Sequence, residues 1–147
     1  MTYYFTSSDE TRIGFIRRGT GPTVIFLHGW MCNCGFWTDQ ITALFSRYTC
    51  IAVDFREHGN SKVSEAPCTM AVLARDVRER IEHLGILECV LVGHSMGAMV
   101  AQMLAVECVP AFGPFSGDYH SERCIGSTDL KANRSSLRFG SDCRCVR

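Results

Sequence analysis

The stretch CVLVGHSMGAMVAQMLAV, residues 89–106, decides the fold. Its first four residues, Cys89 to Val92, form a short, continuously apolar run, as expected of a strand buried on both faces. Gly93-His94-Ser95-Met96-Gly97 follows, and then an apolar helical stretch to Val109 that Pro110 ends. Strand, glycine-flanked pentapeptide and helix in direct succession make a tight strand-to-helix turn. The pattern G-x-S-x-G puts a serine at the apex of that turn, and larger residues at Gly93 or Gly97 would crowd it. The helix beginning there offers unpaired N–H groups and the positive end of its dipole, both favourable to a developing oxyanion.

Two more runs upstream share this character: TVIFL at 23–27 and TCIAV at 49–53. Helical spacing lies between the runs. Trp37, Ile41, Leu44 and Phe45 recur at i, i+4, i+7 and i+8; Leu73, Val77, Ile81 and Leu84 do the same, with Gly85 where a helix C-terminus favours glycine. The spacing predicts helices near 36–46, 69–84 and 96–109. Strand and helix in alternation mean parallel βαβ units and an α/β sheet. Before them, residues 3–6 and 12–17 are rich in aromatic and β-branched residues. They flank the polar Ser7-Ser8-Asp9-Glu10, which predicts a hairpin.

In an open α/β sheet, ligand sites gather at the carboxyl ends of the strands. Two further loops stand out there. His28-Gly29-Trp30 follows TVIFL, and Asp54-Phe55-Arg56-Glu57-His58-Gly59-Asn60-Ser61 follows TCIAV. The second reads as a solvated polar loop that braces its neighbours, and no chemistry is assigned to it. The side chain of Trp30 reads as a core aromatic.

Together these loops resemble the α/β-hydrolase fold superfamily over residues 3–109: a hairpin, a strand into HG-W, a strand into D-x-R-x-HG-x-S and a strand into GHSMG. The resemblance implies Ser95 as nucleophile and backbone N–H groups of Trp30 and Met96 as oxyanion hole. His28, Gly29, Gly93, His94 and Gly97 are the supporting motif. It also implies that the 23–27 strand lies between the other two. A serine at position 95 is unlike epoxide hydrolases and haloalkane dehalogenases, which resemble this pattern with aspartate there. Glu57 departs from the pattern, since relatives usually carry glycine at that place. Substrates implied are small esters or related acyl compounds, with no cofactor.

The resemblance also requires an acid and a histidine after the nucleophile. The only histidine after Ser95 is His120, in GDYHSER, and neither it nor Asp118, Asp129 or Asp142 follows a recognisable strand. Residues 111–147 carry Leu, Ile, Val or Phe at 7 of 37 positions with no period, and read as an irregular tail outside the hydrolase-like part at 1–110. The expectation is a truncated fold whose tail arises from a shifted frame, a retained intron or a truncated gene model. A genuine short isoform, or a half-protein completed by another chain, are the alternatives. The 89–92 strand is then an apolar edge open to self-association.

Composition bounds the rest. Of 147 residues, 46% are hydrophobic and 20% charged, a globular mix. Lys+Arg and Asp+Glu are equal at 15 each, so no net field draws the chain to nucleic acid or an anionic membrane. No run reaches 18 apolar residues, and the first fifteen lack the basic start and apolar stretch of a secretory signal. Nine cysteines, an odd number, read as reduced thiols in the cytoplasm. Cys32/Cys34 and Cys143/Cys145 lack the spacing of a zinc site, so no metal is expected. Gly19-Thr20-Gly21 precedes a strand and has Val24 where a dinucleotide site needs a third glycine. Two readings remain: the nucleophile-bearing part of a serine hydrolase acting on carboxylic esters, and an inactive fragment that binds a small molecule or a partner.

Overall fold

The computed structural model describes residues 1–63, 67–108 and 144–146. Strands β1 (Thr2–Thr6) and β2 (Arg12–Arg18) form the expected hairpin, antiparallel, with Tyr3 opposite Phe15. Strands β3 (Thr23–Leu27), β4 (Thr49–Val53) and β5 (Glu88–Gly93) are parallel neighbours, with β3 between the other two. The mixed sheet runs β1-β2-β4-β3-β5-β6, where β6 is Arg144–Val146.

The period of two along the central strands builds two cores from one sheet. Ile25 and Leu27 of β3 and Ile51 and Val53 of β4 face one layer, with Leu73, Ala74 and Val77 of helix α2 (Met70–His83) and Val100 and Leu104 of helix α3 (Met96–Cys108). Val24 and Phe26 of β3 and Cys50 and Ala52 of β4 face the other, against Trp37 and Ile41. Ile41 belongs to helix α1 (Thr38–Leu44). Continuous apolar runs are what such two-sided burial demands.

Helix α2 starts at Thr69, whose side chain accepts from the N–H of Val72 at 3.3 Å. It ends as Gly85 implied. Gly85 has φ +62, its N–H reaches the Glu82 carbonyl at 2.9 Å, and the Ile86 N–H reaches that of Ile81 at 3.1 Å.

The helix expected near 36–46 is α1, and a 3-10 turn, Cys34–Trp37, precedes it. The cause is polar bonding outside the apolar pattern. The Asn33 side chain accepts from the N–H of Gly35 at 2.8 Å, and the Asp54 carboxylate accepts from that of Cys34 at 2.5 Å. The tail expectation changes at its end. Residues 144–146 pair antiparallel with β5, Val146 opposite Glu88 and Arg144 opposite Val90. A strand edge presents unpaired N–H and C=O groups, and even three extended residues can satisfy part of it. The remainder of the expected irregular tail, 111–143 and 147, lies outside the described residues. No helix among the described residues is long and apolar enough to cross a membrane.

Candidate active site

Chain order and strand order together locate a crevice. From β3 the chain passes through α1, on one sheet face, to β4. From β5 it passes directly into α3, on the opposite face. Adjacent parallel strands whose following helices lie on opposite faces leave a cleft at their carboxyl ends. The loop after β3 and the turn after β5 meet there, since the His94 N–H donates to the Leu27 carbonyl at 3.0 Å.

Ser95 sits between the end of β5 and the start of α3 with φ +51, and it is exposed. A non-glycine residue in this region carries strain of order 1–3 kcal/mol, and such strain clusters at functional sites. The turn is held from both sides: the Gly97 N–H donates to the His94 carbonyl at 2.9 Å, and the Ala98 N–H to the Ser95 carbonyl at 2.9 Å. Gly97 must be glycine because a Cβ there would collide with the Leu27 carbonyl of β3. Gly93 closes β5 opposite Leu27.

The backbone N–H of Met96, next after Ser95, makes no hydrogen bond among the described residues, and neither does that of Trp30. The Met96 side chain is buried under the sheet. Trp30 differs from the core aromatic expected: its side chain is 60% exposed, edge-on to His58 at 5.3 Å. The loop bends there because Met31 takes φ +60, and the Cys32 N–H returns to the Gly29 carbonyl at 3.2 Å. Gly29 permits the close approach of the two loops, since a Cβ would lie 2.7 Å from His94 Nδ1.

Of the two histidines of the motif, His28 is hydrogen-bonded at both ring nitrogens, whereas the buried Nδ1 of His94 has no hydrogen-bond partner among the described residues. His28 is fully buried, its Nδ1 is 2.7 Å from the Gly29 carbonyl, and its Nε2 lies 3.1 Å from the Phe55 N–H. Those partners fix a neutral imidazole that donates at Nδ1 and accepts at Nε2. Burial pushes its pKa down, which agrees with that state. His28 thus ties the loop after β3 to the loop after β4. The ring of His94 stacks on Phe36 at 4.8 Å. Among the described residues no imidazole or carboxylate hydrogen-bonds the Ser95 hydroxyl. His120, Asp118, Asp129 and Asp142 lie outside them.

The loop after β4 is solvated only in part: Glu57, Gly59 and Asn60 are exposed, and the rest of residues 54–60 is buried. Asp54 and Arg56 have no exposed surface, and His58 is 8% exposed. The Asp54 carboxylate takes the N–H of Cys34, the N–H of Asn60 at 2.8 Å and the Asn60 side-chain amide at 3.0 Å. Burial and the Asp54 charge push the neighbouring Cys34 thiol up to about 12, so it stays protonated and inert. Arg56 donates to both oxygens of Asp76, at 2.8 and 2.7 Å, and to Asp9 at 3.0 Å. Those carboxylates, Asp76 above all, raise its pKa. The bracing role stands, and it is a buried one. No cluster of three or more His, Cys, Asp or Glu suited to a metal ion occurs among the described residues.

Comparison with known proteins agrees with this fold. Residues 22–108 match the family described as alpha/beta hydrolase fold. The chain is 37% identical over 106 residues to the dihydrolipoyllysine-residue acetyltransferase component of the acetoin cleaving system of Cupriavidus necator, covering 71% of this chain and 28% of that protein. It is 31% identical over 107 residues to a soluble epoxide hydrolase of Corynebacterium sp., covering 73% and 37%. Among solved structures, an esterase from Exiguobacterium antarcticum superposes with a TM-score of 0.69 at 30% identity, over 72% of this chain and 40% of that one. The chain therefore spans between a quarter and two fifths of the length of these relatives.

Proposed function

Because the chain belongs to the alpha/beta hydrolase fold family, we propose that it carries the nucleophile half of a serine hydrolase acting on carboxylic esters. The observation that supports this most is Ser95 itself: exposed, held at φ +51, and followed by an N–H with no partner among the described residues. In this reading Ser95 Oγ adds to the ester carbonyl carbon. The carbonyl oxygen takes the electron pair and becomes an oxyanion facing the N–H groups of Met96 and Trp30. Collapse expels the alcohol and leaves an acyl-serine, which water cleaves to the free acid. A base must take the proton from Ser95 and later from water, and that help is typically worth about 10²–10⁴ in rate.

A second reading, an inactive fragment that binds a small molecule or a partner, is favoured by one observation. The Ser95 hydroxyl has no hydrogen-bonded base among the described residues. Labelling of the 147-residue chain with a fluorophosphonate separates the two. The hydrolase reading expects slow labelling that maps to the peptide containing Ser95 and vanishes in Ser95→Ala. Labelling no faster than that of the denatured chain, or labelling kept in Ser95→Ala, supports the second reading. Fast labelling that is lost in His120→Ala identifies the tail as the source of the base.

A further inference from the structure

At the opposite end of the sheet, Arg17, Arg18 and Arg80 line an open cavity. Strand β2 runs antiparallel to β4, so Arg17 and Arg18 lie beside Ile51 and Cys50, near the amino end of the parallel strands. Ser95 lies at their carboxyl end. Arg17 is two residues beyond Phe15 and therefore on the same face of the sheet. Helix α2 packs on that face. Arg80 lies one turn beyond Asp76 and Val77 on its buried side, 5% exposed.

The Arg80 guanidinium lies 3.7 Å from the centre of the Phe15 ring and 5.5 Å from that of Phe5. Aromatic faces compensate a buried cation only in part. No carboxylate among the described residues bonds it, and its Nε, buried, has no hydrogen-bond partner. Burial and the adjacent Arg17 charge push its pKa down to about 10. Arg56 on the same side of the sheet shows the contrast, since it is as deeply buried and is held by Asp76 and Asp9. Between Arg80 and Arg17 opens a cavity of about 390 Å³, lined also by Tyr3, Phe15, Arg18 and Gly19. Tyr3 stacks on Phe15 at 5.5 Å and forms an aromatic wall.

We propose that this cavity binds an oxyanion, the phosphate or carboxylate group of a small ligand, between the guanidinium groups of Arg80 and Arg17 and against the Tyr3–Phe15 wall. Guanidinium forks suit both groups, because two parallel N–H donors match two oxygens. The anion relieves the crowding of two cations and supplies the partner Arg80 Nε lacks. The aromatic wall adds apolar surface for a ring or short chain attached to the charged group.

The test is calorimetric titration and thermal unfolding of the 147-residue chain with inorganic phosphate and with benzoate, against chloride at equal ionic strength. The expected result is saturable binding and a rise in Tm with one or both oxyanions beyond that in chloride. The stronger of the two identifies the class of ligand. Arg17→Gln, at an exposed position, should weaken binding about tenfold, the loss of one charge-assisted contact. Arg80→Met keeps the apolar stem against Phe15 and should abolish the response. In chloride it should be at least as stable as the parent, because it removes a buried cation with no partner. Arg47→Gln, outside the cavity, should leave the response intact. The proposal is overturned if neither oxyanion acts beyond chloride, or if Arg17→Gln binds as the parent does. The Arg17 variant decides the matter even if Arg80→Met does not fold.

Discussion

Glu57 shows how much one backbone angle explains. The resemblance marks this position as one where relatives usually carry glycine, and here it has φ +65. The angle is forced by the loop, in which the Glu57 N–H returns to the Lys62 carbonyl and the next residue, His58, is buried. A side chain in the left-handed region costs roughly 1–2 kcal/mol. Glycine removes that strain but adds about 0.4–1 kcal/mol of unfolded-state freedom. The glutamate side chain is exposed and makes no hydrogen bond among the described residues, so nothing else is lost. Glu57→Gly should therefore stabilise the chain by about 0.5–1 kcal/mol, the surplus of strain over entropy. Urea unfolding measures it, and an equal or lower midpoint would refute the account. The angle was invisible in the sequence, but the departure from the family's glycine pointed to it. Ser95 was more legible, because glycines on both sides of a serine between a strand and a helix leave few conformations. Trp30 was not, since an aromatic beside an apolar run gives no sign of which side of the loop it takes.

The elements were legible wherever periodicity alone set them, as for β3, β4, β5 and α2. What escaped was polar and tertiary. Asp76 and Arg80 fall on the same face of α2 as Leu73 and Val77, and charges inside an apolar stripe were the available signal of a buried network. Their partners are far away in sequence. Asp9, in the β1–β2 turn, accepts from Arg56 and Arg75, while Ser7 and Thr11 bond its other oxygen at 2.6 and 3.2 Å. Ser8 in the same turn donates to Glu79 of α2 through its N–H at 2.8 Å. The hairpin, the loop after β4 and α2 thus close on one carboxylate. Burial opposes its charge, but hydrogen bonds from Ser7, Thr11 and Arg56 outweigh that and hold its pKa below the ordinary 3.8. A lowered folded pKa means that its contribution is complete above the unfolded value. The contribution is lost as pH falls through the folded one. Asp9→Asn places an amide against two arginines and should lose about 1–3 kcal/mol at pH 7, the penalty for charged donors left unpaired. Parent and variant should converge as acid protonates Asp9. Denaturation from pH 7 to pH 2 tests this, and a gap constant over that range would contradict it.

At the scale of the molecule, the outer edge of β5 is where contact between copies of the chain can be tested. From the sequence this strand reads as an apolar edge, and its pairing with β6 carries no sequence signal because three residues in an aperiodic tail have no pattern. The strand covers Glu88 to Val90 and does not extend along Leu91 to Gly93. Beside this edge α3 exposes Met99 and Val106, and Leu87 precedes β5 with 70% of its surface in solvent. An edge strand flanked by apolar surface is a template for another chain, and a short covering strand blunts it. The covering adds few backbone hydrogen bonds, each worth about 0.5–1.5 kcal/mol net. It can open far more easily than the sheet can unfold, so association should depend on β6 rather than on global stability. A chain ending at residue 143 should keep the β1-β2-β4-β3-β5 sheet, seen as an unchanged far-ultraviolet circular dichroism spectrum. It should also shift from monomer to dimers and larger species at lower concentration than the full chain. Light scattering coupled to size-exclusion chromatography reads that shift directly. Equal mass distributions for the two chains at every concentration would show that β6 does not guard the edge.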